Sequence, residues 1–125
     1  MRAKVLLYRL GEETEKGKRL RAILREMKLL TLTVAENQLG ETVGKLVSTN
    51  AAPTEAPAPE HAPEVEFMLL CALGDKQLDR LLAAMRRAGV SVPYKAVLTE
   101  HNKDWKLCKL IEEVMREHEF LKSSH

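Results

Sequence analysis

Aromatic side chains are nearly missing from this chain: one Trp, two Tyr and two Phe in 125 residues. Apolar residues still reach 45%, so a packed core must be aliphatic, built from Leu, Val, Ile, Met and Ala. Cysteine is scarce as well. Cys71 and Cys108 cannot make a disulfide framework, and no Cys-x-x-Cys or Cys/His cluster offers a metal site. Both read as small buried thiols, reduced and unpaired. No apolar run approaches the roughly 20 residues that cross a bilayer. Met1-Arg-Ala-Lys-Val-Leu-Leu-Tyr8 opens directly on a strand and lacks a small-residue cleavage site, so no secretion signal is read there and a cytoplasmic location is expected. Neither charge sign dominates. A formal net charge of +2 gives no reason to expect a nucleic-acid partner. Gly11 and Gly74 sit at strand-to-helix junctions, but neither belongs to a phosphate-loop pattern.

Length fits one domain or two very small ones. Four of the five prolines fall between Pro53 and Pro63. The stretch 48–64 has no apolar periodicity and reads as a disordered Pro/Ala-rich linker. It divides the chain into halves, 1–47 and 65–125, and the charge divides with it: +4, −3 and +1 along 1–47, 48–64 and 65–125.

The halves look alike. Apolar strands Lys4–Leu10 and Glu66–Leu73 each end at a glycine. Amphipathic helices follow, with Leu20, Ile23, Leu24 and Met27 in the first and Leu78, Leu81, Leu82 and Met85 in the second, both on one helical face. Second strands come next, Leu30–Val34 and Tyr94–Thr99. Closing helices carry Val43, Leu46 and Val47 in one half, and Leu107, Leu110 and Ile111 in the other. A two-stranded unit cannot bury both faces alone. The expected fold is therefore α/β: two βαβα halves forming one four-stranded sheet covered by helices. Right-handed crossovers make each half parallel if its strands are neighbours. How the halves meet is open, and a ferredoxin-like antiparallel sheet is the alternative. Leu81, Met85, Leu110 and Ile111 are expected in one shared core with Leu20, Ile23, Leu24 and Val43. Asp75 and Asn102 are the expected caps of the third and last helices. Gly40 and Gly44 shorten the helix near 39–47.

Chemistry-bearing residues gather at the end of the fourth strand. Lys95, Thr99, His101, Asn102 and Trp105 lie where α/β sheets place ligands, just beyond a strand's carboxyl end. Helix N-termini favour anions; Thr99 and Asn102 would bond a ligand, Trp105 would wall it and Lys95 would supply charge. A plain structural reading stands beside this, with Thr99 ending a strand, Asn102 capping a helix and Trp105 packing. In the first half Asn37 roughly matches Asn102, while Lys95, Thr99 and Trp105 have no counterpart. His101 has no visible nucleophile partner, and Glu117-His118-Glu119 lacks a metal-binding spacing. No metal and no cofactor are expected, and no catalytic residue is assigned.

The run Lys95-Ala-Val-Leu-Thr99, with Asn102, Trp105 and the later pair Glu117-His118, resembles the signature of a bacterial family, the domain of unknown function DUF3783. The resemblance covers about 66–120. It implies a bacterial cytosolic protein and no particular chemistry.

The expected function is a non-catalytic binding or regulatory module for a small anionic ligand or a protein partner. An enzyme acting on a phosphorylated or nucleotide-like substrate is one alternative. A self-associating subunit, such as a homodimer, is the other.

Overall fold

The computed structural model describes residues 1–123. Along the chain run β1 (Lys4–Tyr8), α1 (Glu15–Glu26), β2 (Leu30–Val34), a 3-10 turn (Glu36–Gln38), α2 (Val43–Ser48), β3 (Phe67–Cys71), α3 (Asp75–Arg87), β4 (Tyr94–Val97) and α4 (Leu107–Ser123). The strands form one sheet in the order β2-β1-β3-β4. β1 pairs parallel with β2, and β3 pairs parallel with β4. The halves meet antiparallel at the centre, β1 against β3, with Leu6 opposite Leu69. The orientation that the sequence left open is thus settled, and the sheet is mixed rather than ferredoxin-like.

The central strands are buried on both sides, which is why they read as unbroken apolar runs rather than alternating ones. Val5, Leu7, Met68 and Leu70 point to one face and pack with Leu20 and Leu24 of α1 and Leu81 and Met85 of α3. Leu6, Tyr8, Phe67, Leu69 and Cys71 point to the other, against Val43, Leu46 and Val47 of α2 and Leu107, Leu110 and Ile111 of α4. The single core expected from the sequence is therefore two, separated by the sheet, and Ile23 is only half-buried at the rim of the first. Burial pushes the Cys71 thiol up to about 12, and Cys71 and Cys108 are both free.

The halves are matched in detail. Arg9 and Ala72, which follow β1 and β3, both take left-handed backbone, at φ 59° and 60°. α1 and α3 end on the same turn. Leu29 N–H donates to Leu24 O at 2.9 Å and Val90 N–H to Met85 O at 2.8 Å, the six-to-one closure of a helix C-terminus. The residue in the turn is Lys28 at φ 60° in one case and Gly89 at φ 70° in the other. α3 differs from expectation at its start: Gly74 is the cap, and its N–H is met by the Gln77 side chain at 3.3 Å. Asp75 is the first helical residue.

The segment between the halves has no helix or strand, but it is not a free tether. Gln38 Nε2 donates to Ala51 O and Ala52 O at 2.9 and 3.1 Å. Thr54 hydroxyl donates to Glu41, and Tyr8 hydroxyl donates to Pro63 O at 2.8 Å. Ala51, Ala62 and Val65 pack on the core. Gly40 is where the strap crosses: a Cβ there would sit 1.9 Å from Pro57 O. Proline-rich composition removes regular hydrogen bonding, yet it leaves carbonyls, and these are what Gln38 and Tyr8 bind.

Lys28 occupies a backbone region that costs a side-chain-bearing residue roughly 1 kcal/mol. Lys28→Gly is expected to raise stability by about 0.5–1 kcal/mol in urea denaturation, although it removes an exposed charge. A loss of stability would show that the turn is not strained.

Candidate functional site

β4 is an edge strand of four residues, with Val97 half-exposed at 50%. Leu98 N–H donates inward to Leu70 O at 2.9 Å. Backbone groups alternate along a strand, so the N–H and C=O of Lys95, Val97 and Thr99 face the open edge. The Asn102 side chain covers part of it. Its Nδ2 donates to Val97 O at 3.0 Å and its Oδ1 accepts from Thr99 N–H at 2.9 Å. Thr99 Oγ1 in turn accepts from Asn102 N–H at 3.1 Å. One side-chain amide thus substitutes for the peptide group of a fifth strand, and Thr99 locks it. Short length, a lysine and covered backbone groups are the means by which edge strands avoid further pairing.

Asn102 is therefore not the cap expected from the sequence. α4 starts at Leu107, not near Lys103. Its first free N–H groups are taken by the first half: Leu107 N–H donates to Glu41 O and Cys108 N–H to Leu39 O, both at 3.0 Å. The first half receives the mirror pair, Val43 N–H to Trp105 O at 2.9 Å and Gly44 N–H to Lys103 O at 2.7 Å. These crossed bonds flank a β-bridge between Thr42 and Lys106. Each half thus caps the closing helix of the other, and the α4 terminus keeps no donors there for an anion.

The same crossing identifies the true counterparts. Gln38, not Asn37, matches Asn102: its Oε1 accepts from Ala35 N–H at 2.9 Å, as Asn102 does from Thr99. Glu41 matches Trp105, since Glu41 N–H donates to Gln38 O and Trp105 N–H to Asn102 O, both at 3.1 Å. Lys45 lies 3.4 Å from the Glu41 carboxylate, and Lys109 Nζ lies 5.7 Å from the Trp105 ring centre. A carboxylate–lysine pair on one side is an aromatic–lysine pair on the other. The signal is present in the sequence as a side-chain amide at the third position beyond Ala35 and Thr99, but Asn37 has the residue type of a helix cap and so looks like the match.

His101, Asn102 and Trp105 line one shallow groove of about 250 Å³ that Lys95 also borders, but the Lys95 side chain projects from the other face of the sheet, the face of Met68. Thr99 is exposed beside the groove. The groove's floor comes from Ala96, Leu110 and Val114, and Glu113 and Glu117 form its far wall. Sequence reasoning did not assign the two carboxylates to this place. His101 meets the Trp105 ring edge-on, with centroids 5.2 Å apart at 68°. Lys95 Nζ donates to Val92 O at 3.0 Å. Lys103 is held by Glu100 at 2.6 Å, which pushes its pKa up. Glu113 pairs with Arg116. His118 is not in a ligand cluster but stands edge-on to Tyr94 at 5.0 Å. Among the described residues, no three His, Cys, Asp or Glu come together as metal ligands.

Two predictions follow the geometry. Asn102→Ala strands a backbone donor and an acceptor, and should cost about 2 kcal/mol; Thr99→Val removes one acceptor and should cost about 1 kcal/mol. Lys95→Met should stay within about 0.5 kcal/mol. Urea denaturation that ranks the three differently would refute the edge-cover role. The second concerns Glu41. The Thr54 hydroxyl first, then the Thr42 N–H, hold its carboxyl below the ordinary value of 4.5. A depressed folded pKa adds stability above the unfolded value, and that stability is lost as pH falls through the folded one. Glu41→Gln should therefore melt below the wild type at neutral pH, and the gap should close as pH drops beneath 4.5. A gap of constant size would place the effect elsewhere.

No curated protein and no solved structure matches the chain. Residues 66–121, the half that supplies the whole of this groove, match the family described as a domain of unknown function, DUF3783.

Proposed function

We propose that the protein is a non-catalytic interaction module, and that the Trp105 groove takes an extended segment of a protein partner carrying a lysine or arginine. One observation carries this reading. In the first half, the loop 38–41 is covered by the chain's own extended strap, held at Ala51, Ala52 and Thr54. Its counterpart, 102–105, has no such cover among the described residues: Asn102 is buried, but Lys103 and Trp105 are half-buried and Asp104 exposed where Leu39, Glu41 and Gly40 are buried. The molecule thus contains one filled and one open version of the same surface, and what fills the first is an extended alanine- and proline-rich peptide.

The chemistry of the open version selects the partner's charge. Glu113 and Glu117 wall it, and the Trp105 ring, which already has Lys109 Nζ 5.7 Å from its centre, is of the kind that attracts cations. A small anion would meet two carboxylates and a helix terminus whose donors are already bound, so the anionic-ligand reading is the weaker one. The shielded edge of β4 argues that a partner's side chains dock in the groove, rather than that its backbone adds a full strand.

The test is an amide and indole NMR titration of the whole protein with alanine/proline pentapeptides bearing a central arginine or a central glutamate, and with inorganic phosphate. The arginine peptide should shift the Trp105 indole, Ala96 and Val114, and Glu113→Gln with Glu117→Gln should weaken that response several-fold. Groove signals that move with phosphate or the glutamate peptide, and not with arginine, would replace this reading with an anion site.

A further inference from the structure

We propose that the α1/α3 layer is a second binding surface, for the phosphate backbone of a nucleic-acid duplex. Net charge hides it. The helices with their closing turns, 15–28 and 75–89, carry ten Lys and Arg against four Asp and Glu. The segments 36–65 and 99–121, which hold α2, α4 and their loops, carry five against eleven. The sheet separates the two populations, so a nearly neutral chain has one basic layer and one acidic layer.

The basic side chains of this layer are largely uncommitted. Arg19 pairs with Glu15, Lys16 with Glu66, and Arg21 bonds Leu10 O. The side chains of Lys18, Arg25 and Lys28 on the α1 side, and of Lys76, Arg80, Arg86 and Arg87 on α3, have no ion pair or hydrogen bond among the described residues. Lys76, Arg80 and Arg87 fall on one stripe of α3. At 1.5 Å per residue the stripe spans about 16 Å, the axial run of about five phosphates on one strand. Arg80 and Arg87 also border a cleft between the helices of about 250 Å³, whose α1 side carries Glu26.

Three features narrow the occupant. The cations are strung along a line rather than converging on a point, so a single small anion would use few of them. Neither helix carries an aromatic residue, which removes the stacking platforms that single strands use. None of the large exposed apolar residues, Met1, Val97, Phe120 and Leu121, lies on α1 or α3, so an acidic protein partner would find no hot-spot anchor on the helices. A duplex backbone needs neither stacking nor an apolar anchor. This surface is on the opposite face of the sheet from the Trp105 groove and does not depend on that groove's function.

Fluorescence anisotropy of a labelled DNA duplex of about 20 base pairs, titrated with the full chain across a salt series, tests the proposal. The expected result is a Kd of about 10⁻⁴–10⁻⁶ M, with log K falling against log salt at a slope of about −3 for three to four phosphate contacts. Arg80→Glu with Arg87→Glu should weaken binding at least tenfold and flatten the slope by about 2, with thermal unfolding unchanged because both side chains are exposed. Glu113→Gln with Glu117→Gln should leave duplex binding at wild-type strength. No anisotropy change at low salt overturns the proposal, as does a double variant that binds normally. A single strand that binds tighter than the duplex, or polyglutamate that competes equally at matched charge, overturns the duplex assignment. So does sedimentation showing that the arginines instead hold two copies of this chain together.

Discussion

The antiparallel pairing of β1 with β3 fixes everything else. Leu6 opposes Leu69, and directly opposed residues of an antiparallel pair share a face. The pseudo-two-fold axis therefore runs through the sheet, normal to it, and maps each face onto itself. Each half makes a strand-helix-strand crossover of one hand. With the axis in this direction, α1 and α3 must fall on one face and α2 and α4 on the other. Neither half encloses a core by itself in this structure, because each contributes only one central strand, and its other strand lies at an edge. Burying Leu6, Tyr8, Phe67 and Leu69 to 1% exposure or less requires both.

A second seam follows from the first. Once the halves are related by the axis, the loops after β2 and β4 arrive side by side near α2 and α4. Each helix start would otherwise leave N–H groups unpaired. The four crossed hydrogen bonds between 39–44 and 103–108 satisfy them reciprocally. This explains why α2 persists with six residues despite Gly44 within it: its first turn is held by Trp105 O and Lys103 O. It also changes what the Lys95–Trp105 signature means. Thr99 and Asn102 belong to the edge of the sheet, and the Trp105 and Lys103 carbonyls belong to the seam. What remains for a partner is the Trp105 ring, His101 and the acidic wall of α4.

Much of the fold was legible because it rests on local periodicity. Leu20 and Leu24, and Leu81 and Met85, sit at helical spacing, and Gly11 and Gly74 each stand three residues beyond a strand, although Gly74 caps α3 whereas Thr14 caps α1. The repeat could be seen for the same reason. Orientation between the halves was not legible, since nothing local distinguishes a parallel from an antiparallel β1–β3 pair. The division of the core into two was missed because fully buried strands do not alternate, so Val5 and Leu6 look alike in sequence. Asn102 was misread because an asparagine before a helical pattern has two uses of equal local plausibility. Only the position of Val97 O shows which one it serves. The strap was misread because proline-rich composition reports missing secondary structure, not missing contacts; Gln38 and Tyr8 reach it from 13 and 55 residues away in sequence.

The charge pattern shows how topology can turn a bland composition into two surfaces. Both halves place a basic helix between their strands, and α1 and α3 carry most of the arginines. Had the two-fold axis lain in the plane of the sheet, one basic helix would have faced each side, and the molecule would be as mixed as its composition suggests. Because the axis is normal to the sheet, the basic helices adjoin, with Arg19 reaching Ala88 O across the gap at 3.3 Å, and the acidic strap and α4 share the other face. Like charges brought together repel, and the ion pairs of Arg19 with Glu15 and Lys16 with Glu66 relieve only part of that. Such segregation costs stability rather than adding to it, and an unneutralised row of arginines is most easily understood as a surface that is complete only with an opposite charge upon it.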